Sequence, residues 1–234
     1  MKAILMVALF AMLTASLPVK AEQSGVEGNI GVYSQYIWRG SQESANTVVS
    51  GEAEAELGAG FVASVEFVSP TGNTPQGGNI TEIDAGLTYT LPVGEAELKL
   101  GYLHSTFINH AAGNTGEVVL AMDYAPVAIT YYNAILGNAD GWKKDQYVDL
   151  ELYTSLNEVD LVANFGFYIP STDTANPTKF ASTKNELGHI DLTVSKDLNI
   201  SDLIIIPSAR LSIPTYTGKP SNANQLVFAV AIGF

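Results

Sequence analysis

The chain of 234 residues has no cysteine, three histidines, and 11 Lys+Arg against 24 Asp+Glu. Without cysteine, an exported chain has no disulfide framework, no thiolate nucleophile and no Cys-ligated metal. With so few bases, and none clustered beyond Lys143-Lys144, a basic nucleic-acid surface is excluded. Long apolar runs are missing as well. After the first residues no stretch of 18 apolar residues occurs, and the densest, Leu203 to Ile206, stops at Pro207. Yet 47% of the residues are hydrophobic and the mean hydropathy is +0.16. Hydrophobic content with no helix long enough to span a bilayer points to strands.

The first residues have the layout of a secretory leader. Met1-Lys2 is a short positive start, Ala3 to Leu13 is apolar, and Val19-Lys20-Ala21 offers a small-residue cleavage site. The expected division is a leader over residues 1–21 and one barrel domain over 22–234. Loss of Lys2 and Lys20 leaves 9 bases against 24 acids, a net charge of −15.

The rest of the chain alternates with period two in segments of about ten residues, the pattern of transmembrane barrel strands. In the last segment Leu226, Phe228, Val230, Ile232 and Phe234 share one face, opposite Gln225, Ala229, Ala231 and Gly233. Ile30, Val32, Tyr36 and Trp38 likewise oppose Asn29, Gly31, Gln35 and Arg39, and Ala53 and Ala55 oppose Glu52, Glu54 and Glu56. Two segments are weaker: Val127 to Leu136 alternates only in its first half, and Leu203 to Ile213 carries Pro207, which cannot donate to a ladder. With both included, the expectation is an all-β fold, a transmembrane antiparallel up-and-down β-barrel of about 12 strands.

The links alternate too. Gly40–Ala45, Pro70–Asn79, Asn109–Gly116, Gly137–Lys144, Pro170–Asn185 and Pro214–Asn224 are long. Gly58–Gly60, Pro92–Gly94, Ala125–Pro126, Leu156–Glu158 and Lys196–Ser201 are short. Outer-membrane barrels have short periplasmic turns and longer external loops, so both termini are expected in the periplasm. Apolar-face aromatics should then gather at two levels, with Phe61, Tyr89, Tyr124 and Phe234 at the short-turn end. Trp38, Phe67, Tyr102, Phe165 and Phe167 belong at the other, and Tyr131, nearer the middle, is an exception. A soluble β-sandwich also alternates, but it needs neither this rhythm nor an apolar face running to the last residue.

If the apolar faces meet lipid, the opposite faces line a lumen. The expected pore-lining residues are Arg39, Glu52, Glu54, Glu56, Glu66, Asp84, Glu97, Lys99, Asp123, Asp149, Glu151, Asp191 and Arg210. Glu82, Glu117 and Asp160 fall on the same faces. Acids two apart, as in Glu52-Ala-Glu54-Ala-Glu56, make one column on a strand and repel one another unless water, cations or bases intervene. Such a lining should attract cations and repel anions, for ions or small solutes passing without energy input. The alternatives are a ladder of acids and bases that closes the interior, a non-conducting barrel working through its loops, and a lipid-active enzyme.

No catalytic residues, metal or cofactor are expected. There is no Gly-x-Ser-x-Gly motif, and the histidines are His104, at the outer end of an apolar face, His110 in a link, and His189, beside Asp191 on a polar face. The expected surroundings are outer-membrane lipid, the barrel-assembly machinery, which would read Phe234 as an assembly signal, and small solutes or cations.

The segment Ser34-Gln35-Tyr36-Ile37-Trp38-Arg39-Gly40-Ser41-Gln42 resembles the Tyr-x-(Phe/Trp)-Arg-Gly-x-Ser segment of the TorF porin family, also called the Gcw_chp family. Gly51-Glu52, the restart at Gly60-Phe61-Val62-Ala63, and Gln146-Tyr147-Val148-Asp149-Leu150 are similar to that family's second, third and later strand starts. The chain departs from the family where a Gln-Gly pair and a Trp-containing third strand are frequent. The resemblance implies an outer-membrane, porin-like protein of the bacterial envelope.

Overall fold

The computed structural model describes residues 25–70, 82–108, 114–137, 144–171, 184–201, 203–216 and 223–234. The expected leader, and most of five of the six long links, lie outside the described residues. The strands are β1 (Val26–Tyr33), β2 (Tyr36–Trp38), β3 (Ser41–Ser44), β4 (Val48–Gly58), β5 (Phe61–Pro70), β6 (Glu82–Val93), β7 (Ala96–Phe107) and β8 (Thr115–Tyr124). They continue with β9 (Val127–Gly137), β10 (Gln146–Leu156), β11 (Val159–Ile169), β12 (Glu186–Ser195), β13 (Leu198–Ile200), β14 (Leu203–Pro214) and β15 (Gln225–Gly233).

Twelve of these close into one antiparallel barrel. Neighbours in sequence pair from β4 to β12, β12 pairs with β14, β14 with β15, and β15 closes on β1, which pairs with β4. The expected fold class and strand number hold. β2 and β3 form a separate two-stranded sheet, and β13 is a three-residue strand folded back on β14 within the link expected as a plain turn.

Four of the five short links are two-residue turns. Ala59 and Gly60, and likewise Asn157 and Glu158, all have positive φ, the backbone that matches the twist of a tight hairpin. Pro207 is accommodated mid-strand by its place at the rim. Its carbonyl accepts from the Lys196 N–H (3.3 Å), just where β12 ends, so little pairing is lost where its missing donor would point. The second half of β9 is strand as well, but its register with β8 shifts where Gly116 and Glu117 face Leu136 and Ala134; Ile135 is passed over, and the alternation slips there.

The apolar faces point out. On β15, Leu226, Phe228, Val230 and Ile232 are 41–58% exposed, whereas Val227, Ala229 and Ala231 are 6–8% exposed. A soluble barrel would bury the former set. Leu98, Leu100, Leu120, Met122, Leu192 and Val194 are exposed in the same way. By register, every charged side chain on a barrel strand lies on the inward face among the described residues. A base turned outward at mid-membrane would cost about 2–4 kcal/mol. With strands of 8–12 residues, the wall has the length that crosses a hydrocarbon layer.

Candidate pore lumen

The inward faces divide into two zones along the barrel axis. At the long-link end the interior is filled, because the chain leaves the wall after Tyr33. Ser34 remains stitched to β15, its N–H donating to the Phe228 carbonyl (2.8 Å) and its hydroxyl accepting from the Phe228 N–H (3.0 Å). The hairpin β2–β3 then crosses the lumen to the opposite wall. Tyr36 donates to Glu82 of β6 (3.0 Å). At the tip, Arg39 (φ 46°) and Gly40 (φ 74°) both adopt left-handed backbone, and the Gly40 Cα lies so close to His189 that an added Cβ would meet the His189 Cβ at 2.5 Å.

Arg39 is the centre of this zone. Its two Nη atoms donate to the two Oε atoms of Glu117 on β8, at 3.0 and 2.8 Å. Its guanidinium carbon sits 4.5 Å from the Trp38 ring, 4.7 Å from Tyr132 and 4.5 Å from Tyr147. Tyr168 donates to the Arg39 carbonyl at 2.5 Å. Both side chains of the ion pair are under 10% exposed. Burial alone would lower the Arg39 pKa, but the Glu117 carboxylate outweighs it and holds the group above its ordinary value. A bidentate, desolvated pair of this kind is stronger and more directional than a surface pair.

Beside it runs a second polar chain. The Tyr147 hydroxyl lies 2.7 Å from Nε2 of His189 with the rings stacked. His189 Nδ1 lies 3.2 Å from Asp191 Oδ2, and Arg210 bonds the same carboxylate oxygen. Gly166 gives these rings their room, since a Cβ there would meet His189 Nε2 at 2.1 Å and the Tyr147 hydroxyl at 2.4 Å. The imidazole nitrogen that would serve a nucleophile is thus taken by a phenol.

The short-turn half is different. Glu54, Glu56 and Glu97 are exposed, and Glu52 is exposed while accepting from Asn29 (2.6 Å). Lys99 lies 3.5 Å from Glu97. Asp123 accepts from Tyr153 (2.7 Å). Between the two zones, Asn164 spans Asp149 (3.3 Å) and Glu151 (3.0 Å). Nearer the filled zone, Glu52, Glu66 and Asp84 follow one another across β4, β5 and β6 in a single row, with the Ser50 hydroxyl 3.4 Å from Glu66.

Of the expected lining residues, those on strands lie on inward faces. Arg39 differs: it reaches the lumen from the hairpin tip and not from the wall of the first strand. Tyr36 and Trp38, expected on the lipid face with Trp38 in the outer aromatic level, are in the hairpin. The physical reason is the break at Ser34-Gln35, which ends β1 and removes these residues from its alternation. Glu117, Tyr132, Tyr147 and Tyr168, which complete the Arg39 site, are not distinguishable in sequence from other inward positions. The only local hint is an arginine next to a glycine at the start of a long link.

The closed twelve-stranded wall, apolar outside and charged inside, has the architecture of a membrane-spanning β-barrel. It is similar to the KdgM porin structure (TM-score 0.50, 8% identity, covering 89% of this chain and 97% of that one). It is also similar to the NanC porin structure (TM-score 0.58, 10% identity, covering 90% and 99%). At such identities the likeness is one of fold. Residues 20–220 match the family described as "Bacterial protein of unknown function (Gcw_chp)", and the chain belongs to it. No curated protein matches the chain.

Proposed function

We propose that this chain is an outer-membrane porin of the TorF type, exported by its leader, that passes cations or small solutes passively through a narrow, acid-lined lumen. The observation that carries this reading is the short-turn half of the lumen, where Glu52, Glu54, Glu56, Glu97 and Asp123 share the inward face with Lys99, while Arg210, the other inward base among the described strand residues, is bound to Asp191. Fixed carboxylates along a low-dielectric wall raise the local cation concentration and exclude anions. Planar-bilayer recording under a salt gradient tests it. A reversal potential of cation-preferring sign is expected; absence of conductance, or anion preference, refutes it.

One observation favours a second reading, a non-conducting barrel: the β2–β3 hairpin spans the long-link mouth. It predicts no conductance in the intact protein. A lipid-active enzyme, the third reading, would require hydrolysis that a His104 variant abolishes, and the protein is proposed to be neither an enzyme nor a cofactor binder. Phe234 is proposed as the residue read by the barrel-assembly machinery. Its deletion should reduce the amount of folded barrel, seen as heat-modifiable mobility on a gel, more than it changes the conductance of barrels that do fold.

A further inference from the structure

Arg39 is held by groups that belong to two different parts of the molecule. Trp38 travels with it on the hairpin, whereas Glu117, Tyr132 and Tyr147 stand on the consecutive wall strands β8, β9 and β10. Register places Tyr132 opposite Tyr147, with Glu117 opposite Ala134 two residues along β9. The two rings lie 5.8 Å apart at 46°, so the wall presents two π faces and one carboxylate at fixed positions. The fork of a guanidinium satisfies both carboxylate oxygens while its flat face lies against the rings, which a compact ammonium cannot do at once. The wall is therefore complementary to a chemical group, not merely to this hairpin.

Among the described residues, the occupant sits on the one inserted element that shares no ladder with the barrel, since β2 and β3 pair with each other. Its tip is made of two left-handed residues; its Tyr36 and Arg39 side chains bond Glu82 and Glu117 of the wall, and its Arg39 carbonyl accepts from Tyr168. If Arg39 withdraws, the Glu117 carboxylate remains among aromatic rings with no cation, a state that favours rebinding of any matching cation.

We propose that Glu117, Tyr132 and Tyr147 form a recognition site for guanidinium-bearing solutes in the lumen, with Arg39 as its built-in occupant. An incoming guanidinium displaces the Arg39 side chain and loosens the hairpin's hold on the far wall. That such solutes are the channel's cargo rests on the porin reading; the site itself does not. Because Arg39 is tethered, a free solute competes against a local concentration on the order of millimolar, so binding to the intact protein is weak.

Calorimetry on the folded full-length barrel, with arginine amide as probe, tests this. Arg39→Ala vacates the site and should bind the probe at least about tenfold more tightly than the unaltered protein. Binding should vanish in Arg39→Ala/Glu117→Gln and be weaker for lysine amide. No binding by Arg39→Ala, equal binding of glycine amide, or binding that survives Glu117→Gln overturns the proposal. Should Arg39→Ala not fold, Arg39→Lys replaces it: its single ammonium holds the site less well, and failure to bind the probe more tightly than the unaltered protein overturns the proposal. In bilayers, Arg39→Ala should conduct more than the unaltered protein, and arginine amide should reduce that current. Probe binding with no current in any variant leaves the site standing and removes the porin reading alone.

Discussion

The two halves of the lumen handle the same chemistry in opposite ways. At the long-link end the buried acids beside the hairpin are partnered: Glu82 by Tyr36, Glu117 by Arg39, Asp191 by His189 and Arg210. These side chains are buried, and an unpaired charge among them would be costly. At the short-turn end the acids outnumber their partners, and Glu54, Glu56 and Glu97 stay wet. Their repulsion is relieved by solvent and counter-ions. A residue in the first half is therefore chiefly a question of structure, and one in the second chiefly a question of field. The same residue type serves both, and burial decides which.

This contrast can be broken or sharpened by substitution. Glu117→Ala should have the largest effect. It strands the Arg39 guanidinium in a buried site and should cost roughly 3–5 kcal/mol. Urea unfolding would show this, while Glu54→Ala should leave the midpoint unchanged; equal behaviour of the two would erase the distinction. Next comes Gly40→Ala, which puts a Cβ at left-handed φ and against His189. A loss of about 1–3 kcal/mol is expected, together with faster labelling of a cysteine introduced at Ile37, which is buried in the docked hairpin. The combined Glu52→Gln, Glu54→Gln and Glu56→Gln variant should keep the unaltered unfolding midpoint but lower the cation-to-anion permeability ratio by about twofold or more. An unchanged reversal potential would move selectivity away from this column. Smallest is Lys99→Met, since Lys99 and Glu97 are 36% and 52% exposed. It should raise cation preference slightly and leave stability as it was.

Much of this was legible from residue order. Alternation placed Leu226, Phe228, Val230 and Ile232 on one face and assigned that face to lipid, because a two-residue period needs only local pattern. The two-residue turns were visible at Gly58–Gly60 and Leu156–Glu158. The hairpin was not. Ile30, Val32, Tyr36 and Trp38 keep even parity across Ser34-Gln35, so alternation reads straight through a place where the chain leaves the sheet. Its cause is not local: Arg39 is drawn to Glu117, 78 residues on. Nor does any local pattern tell that Glu117 is buried and Glu54 exposed, since both are inward acids on barrel strands. The difference is set by what else reaches their depth, and only closure of the barrel determines that.

The closing seam carries its own consequence for biogenesis. β1 and β15 join residues nearly a full chain length apart, and Phe234 extends the seam, its N–H and carbonyl pairing with Gly28 at 2.9 and 3.0 Å. Until β15 arrives, a nascent sheet growing from β1 has two open edges, each able to recruit strands from other chains. The contact that removes both is also the one of longest loop closure, and so the slowest to form unaided. An emerging polypeptide is thus most vulnerable to aggregation for the whole interval before its last ten residues are delivered, and a helper that grips that last strand first would shorten this interval.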